Sequence, residues 1–222
     1  MDIRTEFHKK ISEIKGDILA MGSMVEKALL RSTQALKDRD LKVAEQVIGD
    51  DVYINEKRYE IEEKCIQLIA TQQPLASDLR IIIAVVNIIT ELERIGDHAE
   101  GIARIVIMIG DEPPLKPIID LPRMAEKTAE MLHRSLDAFN SQDSGLARSV
   151  ANEDDEVDEL YSQVYRELLS YMVEDPKTIT RATRLIWVAH NLERSADRVT
   201  NICERVVFTV TGKMEEIGAS NY

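Results

Sequence analysis

Ser77-Asp-Leu-Arg-Ile-Ile-Ile-Ala-Val-Val-Asn-Ile-Ile-Thr-Glu-Leu-Glu-Arg-Ile-Gly-Asp97 decides how this chain folds. The run from Ile81 to Val86 is β-branched enough to suggest a buried strand. The apolar pattern does not stop there: Leu92, Ile95, Ala99, Ile102 and Val106 carry it on at helical spacing. A strand of about thirty residues lies far outside the usual range of about three to ten. The stretch therefore predicts one long helix from about Asp78 to Met108, buried over a broad face and closed by Gly110.

Upstream, Phe7, Ile11, Ile14, Ile18, Met21, Val25, Leu29 and Leu36 mark a helical seam that ends near Lys37. Asp40 is placed to cap a second helix. That helix carries Val43, Val47, Ile54, Ile61, Cys65 and Leu68 and stops before Pro74, with Gly49 and Asp50 expected to loosen it near its start. Downstream, Asp111-Glu-Pro-Pro-Leu-Lys-Pro117 puts its three prolines within one short stretch, which forbids helix and marks a linker. Asp120-Leu-Pro122 restarts a helix with a capping acid and a proline in its first turn.

Beyond the linker the chain repeats itself. Leu29, Arg31, Ser32, Ala35 and Asp40 recur 103 positions later as Leu132, Arg134, Ser135, Ala138 and Asp143. The same offset carries Ala44, Val47, Asp51 and Ile54 onto Ala147, Val150, Asp154 and Val157. By the third helix the offset is 100, so the turn holding Pro176 must be shorter than the one holding Pro74. The reading is an all-α fold of two tandem three-helix bundles. Its expected divisions are a first bundle over 1–110, a Pro-rich linker over 111–119, a second bundle over 120–213 and a tail over 214–222.

Apolar residues make up 44% and charged residues 31%, which fits a soluble, helix-rich protein rather than a disordered one. A net charge of −12 argues against binding nucleic acid or anionic lipid, and leaves room for cations and for basic patches on partner proteins. Met1-Asp-Ile-Arg-Thr-Glu-Phe-His8 lacks the apolar core of a secretory signal. The apolar run from Ile81 to Ile89 is too short to cross a bilayer. Cys65 and Cys203 stand alone, which suits a reducing compartment. The expected location is the cytoplasm.

Glu93 and Asp97 lie four residues apart on one face of the central helix, and Glu193-Arg-Ser-Ala-Asp197 repeats the pair. With 40 acids in 222 residues, such a spacing arises by chance about seven times, so what lies opposite decides its meaning. In an antiparallel hairpin, facing residues share a midpoint. Asp51 with Asp97 and Asn55 with Glu93 are both centred at Pro74. Asp154 with Asp197 and Asp158 with Glu193 are both centred beside Pro176. Each bundle is thus predicted to hold an oxygen-rich cluster, two side chains per helix, at one depth. Clustered carboxylates repel unless neutralised, and oxygen-only donors suit hard cations such as magnesium, calcium, manganese or iron. The plainer reading pairs the same acids with Arg94 and Arg194 in a solvated network.

Glu130-Met-Leu-His133 is a lone ExxH with Leu30 at the matching place in the first copy, and reads as a structural histidine on a partly buried face. Trp187, Tyr161, Tyr165 and Tyr171 read as core and rim. Nucleophilic triads and glycine-rich phosphate loops have no signature here.

Gln73-Pro-Leu-Ala-Ser-Asp-Leu-Arg80, Glu91-Leu-Glu-Arg-Ile-Gly-Asp97, Asn191-Leu-Glu-Arg-Ser-Ala-Asp-Arg198 and Asn201-Ile-Cys203 together resemble the PhoU phosphate-signalling regulators of bacteria. Met21-Gly-Ser-Met-Val-Glu26 and Tyr171-Met-Val-Glu-Asp-Pro176 fit as well, so the likeness runs from about residue 6 to 212. The resemblance implies two three-helix bundles whose E/DxxxD motifs hold metal clusters. Iron, manganese, zinc and magnesium are the candidate ions, with no organic cofactor. Carried over by position, the ligands are Asp51, Asn55, Glu93 and Asp97, then Asp154, Asp158, Glu193 and Asp197. Asn55 leaves the first site one charge short, and Arg-Ser-Ala-Asp in place of Arg-Ile-Gly-Asp alters the packing beneath the second.

The resemblance also implies a cytoplasmic adaptor that negatively regulates the phosphate-starvation response, without catalytic residues. Its expected partners are a sensor histidine kinase of the phosphate regulon and the ATPase subunit of a phosphate ABC transporter. It would be peripheral to the membrane through those partners, with a homodimer allowed and nucleic acid excluded. The rival from another class is a metal-dependent phosphatase or oxidase using the clustered acids. A third reading is a plain coiled-coil scaffold with solvated acids.

Overall fold

The computed structural model describes residues 3–217, and seven α-helices fill most of them. They are α1 (Ile3–Asp38), α2 (Leu41–Gln72), α3 (Ser77–Ile109), α4 (Asp120–Ser141), α5 (Ser144–Ala151), α6 (Asp154–Glu174) and α7 (Ile179–Thr211). No strand occurs among the described residues. The stretch that could have been a strand is helical throughout, and its β-branched side chains serve packing: Ile82, Val85, Ile88, Ile89, Ile95 and Ile102 are fully buried. Helix α3 is covered by α1 and α2 on one side and by α7 on the other, so it needs apolar groups around most of its girth. Gly110 closes it with a positive φ of 63° and donates its N–H to Val106 O.

The repeat extends to hydrogen bonds. Asp40 accepts from the Lys42 and Val43 N–H groups at the start of α2, and Asp143 accepts from those of Gly145 and Leu146 at the start of α5. Arg39 and Gln142, the residues before these caps, both take positive φ, 58° and 54°. The next N–H in each copy reaches back to Ala35 O or Ala138 O, which satisfies a terminal carbonyl. Ser32 bonds to Leu29 O as Ser135 does to Leu132 O. Arg31 pairs with Asp50 at 2.7 Å where Arg134 pairs with Glu153 at 2.6 Å.

Two local expectations are corrected. Helix α2 passes through Gly49 and Asp50 without a break; the roughly 1 kcal/mol that an exposed glycine costs is outweighed by burial of Ala44, Val47 and Ile54 on either side of it. The interruption falls instead at the equivalent positions of the second copy, Asn152 and Glu153, which separate α5 from α6. There Glu153 is held by Lys127 at 2.8 Å as well as by Arg134, and Met24 stands where the first copy would need that lysine. Asp120 does not cap α4. Ile119 precedes the helix with no side-chain cap, and Asp120 lies in the first turn, 3.4 Å from the buried ammonium of Lys116. Lys116 also reaches Glu167 on α6, which fastens the proline-rich segment to α6.

Each turn between the second and third helical arms is short. Four residues, Gln73 to Ala76, join α2 to α3, with Gln73 and Ala76 at positive φ. In the second copy Asp175 is followed directly by a 3-10 turn, Pro176–Thr178, that runs into α7. Residues 213–217 turn back on the end of α7, where the Ile217 N–H donates to Glu204 and Glu215 pairs with Arg148. The remainder of the expected tail, 218–222, and residues 1 and 2 lie outside the described residues.

Helices α1, α2 and α3 pack on one another, as do α4, α5, α6 and α7, and the two sets meet along α3 with α7 and α1 with α4. Arg80 at the start of α3 lies against Gly212 at the end of α7, and Glu112 just past α3 meets Arg181 and Arg184 near the start of α7. The two third helices are therefore antiparallel. Their contact is nearly two-fold: Arg198 of α7 approaches Glu91 of α3 at 3.5 Å, and His98 of α3 approaches Asn191 of α7 at 3.2 Å. Asn201 also donates to Glu91. Gly101, at the place equivalent to Asn201, lets Asn191 come close.

Candidate functional site

The folded-back arms set the acids of α2 beside those of α3, and the acids of α6 beside those of α7. In the first bundle Asp51 Oδ1 lies over Gly96, 3.5 Å from where a side chain there would begin. Asn55, one turn along α2, donates its amide to Asp51 Oδ2 at 2.8 Å. Glu93 is half-buried and accepts from Arg58 Nη1 at 3.2 Å. Burial first, then the charges of Glu100 and Asp97, hold the Asp51 carboxyl above its ordinary range. Burial and Glu100 do the same to Asp97, against the pull of His98, Arg94 and Arg58.

The second cluster is deeper. Asp154 and Glu193 are each only 7% exposed. Burial, then Asp158, Asp197 and Glu193, push the Asp154 carboxyl up to about 7. Burial and Asp197 push Glu193 to about 7 as well, with Arg194 opposing. Asp158 is raised by burial and by Asp197. Arg194 bonds Asp197 at 2.8 Å and stands 3.6 Å from Glu193, so part of the plainer arginine-paired reading holds here. Yet Asp154 Oδ1 and Glu193 Oε2 are buried without any hydrogen-bond partner. His190 Nδ1 and Arg194 Nε come within 3.5 and 3.6 Å of Glu193 Oε2 without donating to it.

The acids of each bundle thus lie within electrostatic reach of one another, Asp51 with Glu93 and Asp97 in the first and Asp154 and Asp158 with Glu193 and Asp197 in the second. Among the described residues, no three Asp, Glu, His or Cys side chains converge on a common point as they stand. Like charges splay their rotamers apart when nothing positive stands between them. The second cluster fits a hard cation: its donors are oxygens, and two of those oxygens are buried without partners. The first fits less well, because an amide and a guanidinium already engage two of its four side chains.

Arg58, Glu100 and His190 border these clusters and were not among the positions singled out from sequence, and Tyr161, read there only as core or rim, borders the second. Arg58 follows Asn55 by three residues and His190 precedes Glu193 by three, so extending each face by one turn would have found both. His133 is more exposed than a partly buried face would make it, and it bonds Glu26 on α1 rather than forming a site with Glu130. Trp187 at 51% and Tyr165 at 44% exposure are rim residues, and none of the four aromatics is in the core. Cys65 and Cys203 are buried, their thiols pushed up to about 12. No helix among the described residues is long and apolar enough to cross a membrane.

Comparison with known proteins accounts for the duplicated helical fold. A family described as the PhoU domain matches residues 18–106 and again 121–206. The "Phosphate-specific transport system accessory protein PhoU homolog" of Aquifex aeolicus is 42% identical over 186 residues, 84% of each chain. The protein of the same description from Clostridium acetobutylicum is 38% identical over 215 residues, 96% of this chain and 98% of that one. The crystal structure of PhoU from Pseudomonas aeruginosa superposes with a TM-score of 0.88 at 38% identity, covering 93% of this chain and all of that one.

Proposed function

Because the chain belongs to the PhoU family, we propose that it is an accessory protein of a phosphate-specific transport system and acts as an adaptor rather than an enzyme. In this reading it works in the cytoplasm, relays the state of a phosphate ABC transporter to a sensor histidine kinase, and keeps the phosphate-starvation response off when phosphate is ample. The observation that carries the reading is a likeness spanning nearly the full length of relatives named as such accessory proteins.

The surface supports docking. Leu75 at 79% and Val173 at 77% exposure crown the two inter-helix turns. Below them Ile66 and Leu79 are exposed, and so are their repeat equivalents Leu169 and Ile179. Apolar groups left in water at equivalent places suit contact with another protein. The net charge of −12 favours basic faces on the ATPase subunit or kinase.

The carboxylate clusters belong to the same reading as metal sites. Asp154, Asp158, Glu193 and Asp197 would hold an ion in the second groove, with Asp51, Asn55, Glu93 and Asp97 around the first. Iron, manganese, zinc or magnesium, when bound, would supply the positive charge that keeps those carboxylates ionised.

Deleting the gene tests the adaptor role. Expression of phosphate-scavenging genes at high phosphate should become constitutive and should return to repression when the intact gene is supplied. Normal repression in the deletion strain would sink it. A second reading, a metal-dependent phosphatase, draws on the two buried carboxylate oxygens left without partners, Asp154 Oδ1 and Glu193 Oε2, which a catalytic ion would engage. Brisk manganese- or iron-dependent hydrolysis of generic phosphoesters, lost in Glu193→Gln, would favour it over the adaptor.

A further inference from the structure

At the level of the acid dyads the two bundles differ, and each difference runs the same way. Asn55 in the first bundle is Asp158 in the second, Arg58 is Tyr161, and Thr90 is His190. The Arg58 guanidinium lies on the face of α2 that carries Asp51 and Asn55, and it bonds Glu93 at 3.2 Å. The first cluster thus contains its own cation. Asp51, Glu93 and Asp97 against Arg58 and Arg94 leave one net negative charge. Asp154, Asp158, Glu193 and Asp197 against Arg194 leave three. Glu100, whose charge also acts on Asp51 and Asp97, is matched by Arg104 at 2.5 Å.

More than acid count marks the second groove. Asp154 is 7% exposed, and its Oδ1 has no hydrogen-bond partner. Glu193 Oε2 is in the same condition, with the imidazole of His190 3.5 Å away on the adjoining turn of α7. His190 is half-exposed, so its ring can swing without disturbing the core, and it lies beside Tyr161 with ring centroids 6.3 Å apart.

Resting on the reading of the clusters as metal sites, we propose that the two are unequal. The α6/α7 cluster is the tight site, completed by the His190 imidazole, and the α2/α3 cluster already has much of its charge offset by Arg58. A nitrogen donor among oxygens favours zinc, manganese or iron over magnesium and calcium, which take oxygen almost alone. Selectivity between the two classes of ion then resides in His190, a residue the first copy replaces with Thr90.

Calorimetric titration of the full, chelator-stripped chain with zinc and with magnesium tests this. The tight zinc phase should vanish in Glu193→Gln and persist in Glu93→Gln. Arg58→Gln should add a second tight phase. His190→Gln should weaken zinc at least tenfold and leave magnesium within threefold of its original affinity. Far-UV circular dichroism checks that each variant is folded; should Arg58→Gln not fold, Asn55→Asp, which supplies the fourth carboxylate, should add the same second phase. Equal loss from Glu93→Gln and Glu193→Gln, or equal weakening of both metals by His190→Gln, would overturn the inequality while sparing metal binding. Absence of any tight phase would overturn the metal reading itself and the inequality with it.

Discussion

Replacing Glu193 by glutamine should stabilise the metal-free protein, although it removes a charged group that an arginine approaches. Glu193 is 7% exposed on α7, and burial with the neighbouring Asp197 lifts its carboxyl from an ordinary 4.5 to about 7. A group whose pKa is raised by folding costs nothing below its unfolded value, near 4.5, where it is protonated in both states. Its cost accrues as pH rises from the unfolded value towards the folded value near 7, the range in which the folded chain holds a proton the unfolded chain has lost, and it levels off above that. The full cost is about 3 kcal/mol at about 1.4 kcal/mol per pH unit, and water at the open side of the groove screens it to about 1–2 kcal/mol. Glutamine keeps the shape and removes the cost. Urea unfolding in the presence of chelator should show wild type and Glu193→Gln nearly equal at pH 4.5. The variant should be more stable by about 1–2 kcal/mol at pH 8, a rise in Tm of about 2–8 °C for a chain of this size. A variant less stable than wild type at pH 8, or a difference that does not grow with pH, would refute the picture of a strained, unneutralised carboxylate.

Other outcomes follow from packing and caps. A methyl added at Gly96 would meet Ile54 at 3.2 Å, so Gly96→Ala should lose about 1 kcal/mol net, overpacking outweighing the helix gain. Because the second copy has Ala196 and Val157 at these places, adding Ile54→Val should restore stability in a denaturant titration; a double variant worse than both singles would show that the methyl is not exchanged between the two positions. Asp143→Ala and Asp40→Ala should each cost about 1 kcal/mol, visible as matching drops in Tm, since both carboxylates cap two N–H groups. Asp17 bonds Lys57 and Lys64 of α2 at 2.7 Å each, and these ammonium groups overcome burial to hold its carboxyl below the ordinary range. Its contribution should be present above about pH 4 and lost as pH falls through the lowered folded value, so Asp17→Asn should lower the urea midpoint at pH 7 and leave it unchanged at the lowest pH where the chain stays folded.

The helices were legible because their signal is periodic and local. Every apolar position picked out along α1 is buried, and so are Val47, Ile54, Ile61, Cys65 and Leu68 along α2. The caps at Asp40 and Asp143 were legible as a repeat, since one capping chemistry serves both. The break at Asn152–Glu153 was not, because no proline or glycine marks it and the ion pair of Glu153 with Lys127 joins residues far apart in sequence. Propensity pointed to Gly49 instead, and packing overrode it.

At the candidate site the hairpin midpoints foretold that Asp51 neighbours Asp97, that Asp154 neighbours Asp197 and that Asp158 neighbours Glu193. The inequality of the two clusters could not be read so readily. Arg58 and His190 look like ordinary surface residues until α2 is laid on α3 and α6 on α7. The polar pairs between α3 and α7, Glu91 with Arg198 and His98 with Asn191, depend on how the two bundles meet, which no pattern within either bundle specifies.

Anomalous diffraction from crystals of the full chain grown with manganese addresses the central claim most directly. A peak between α6 and α7, within coordinating distance of both Asp154 and Asp197, is the result expected of two arms that present their acids to one ion. Peaks confined to the outer surface, with Asp154 and Asp197 bound to separate ions or to none, would contradict it.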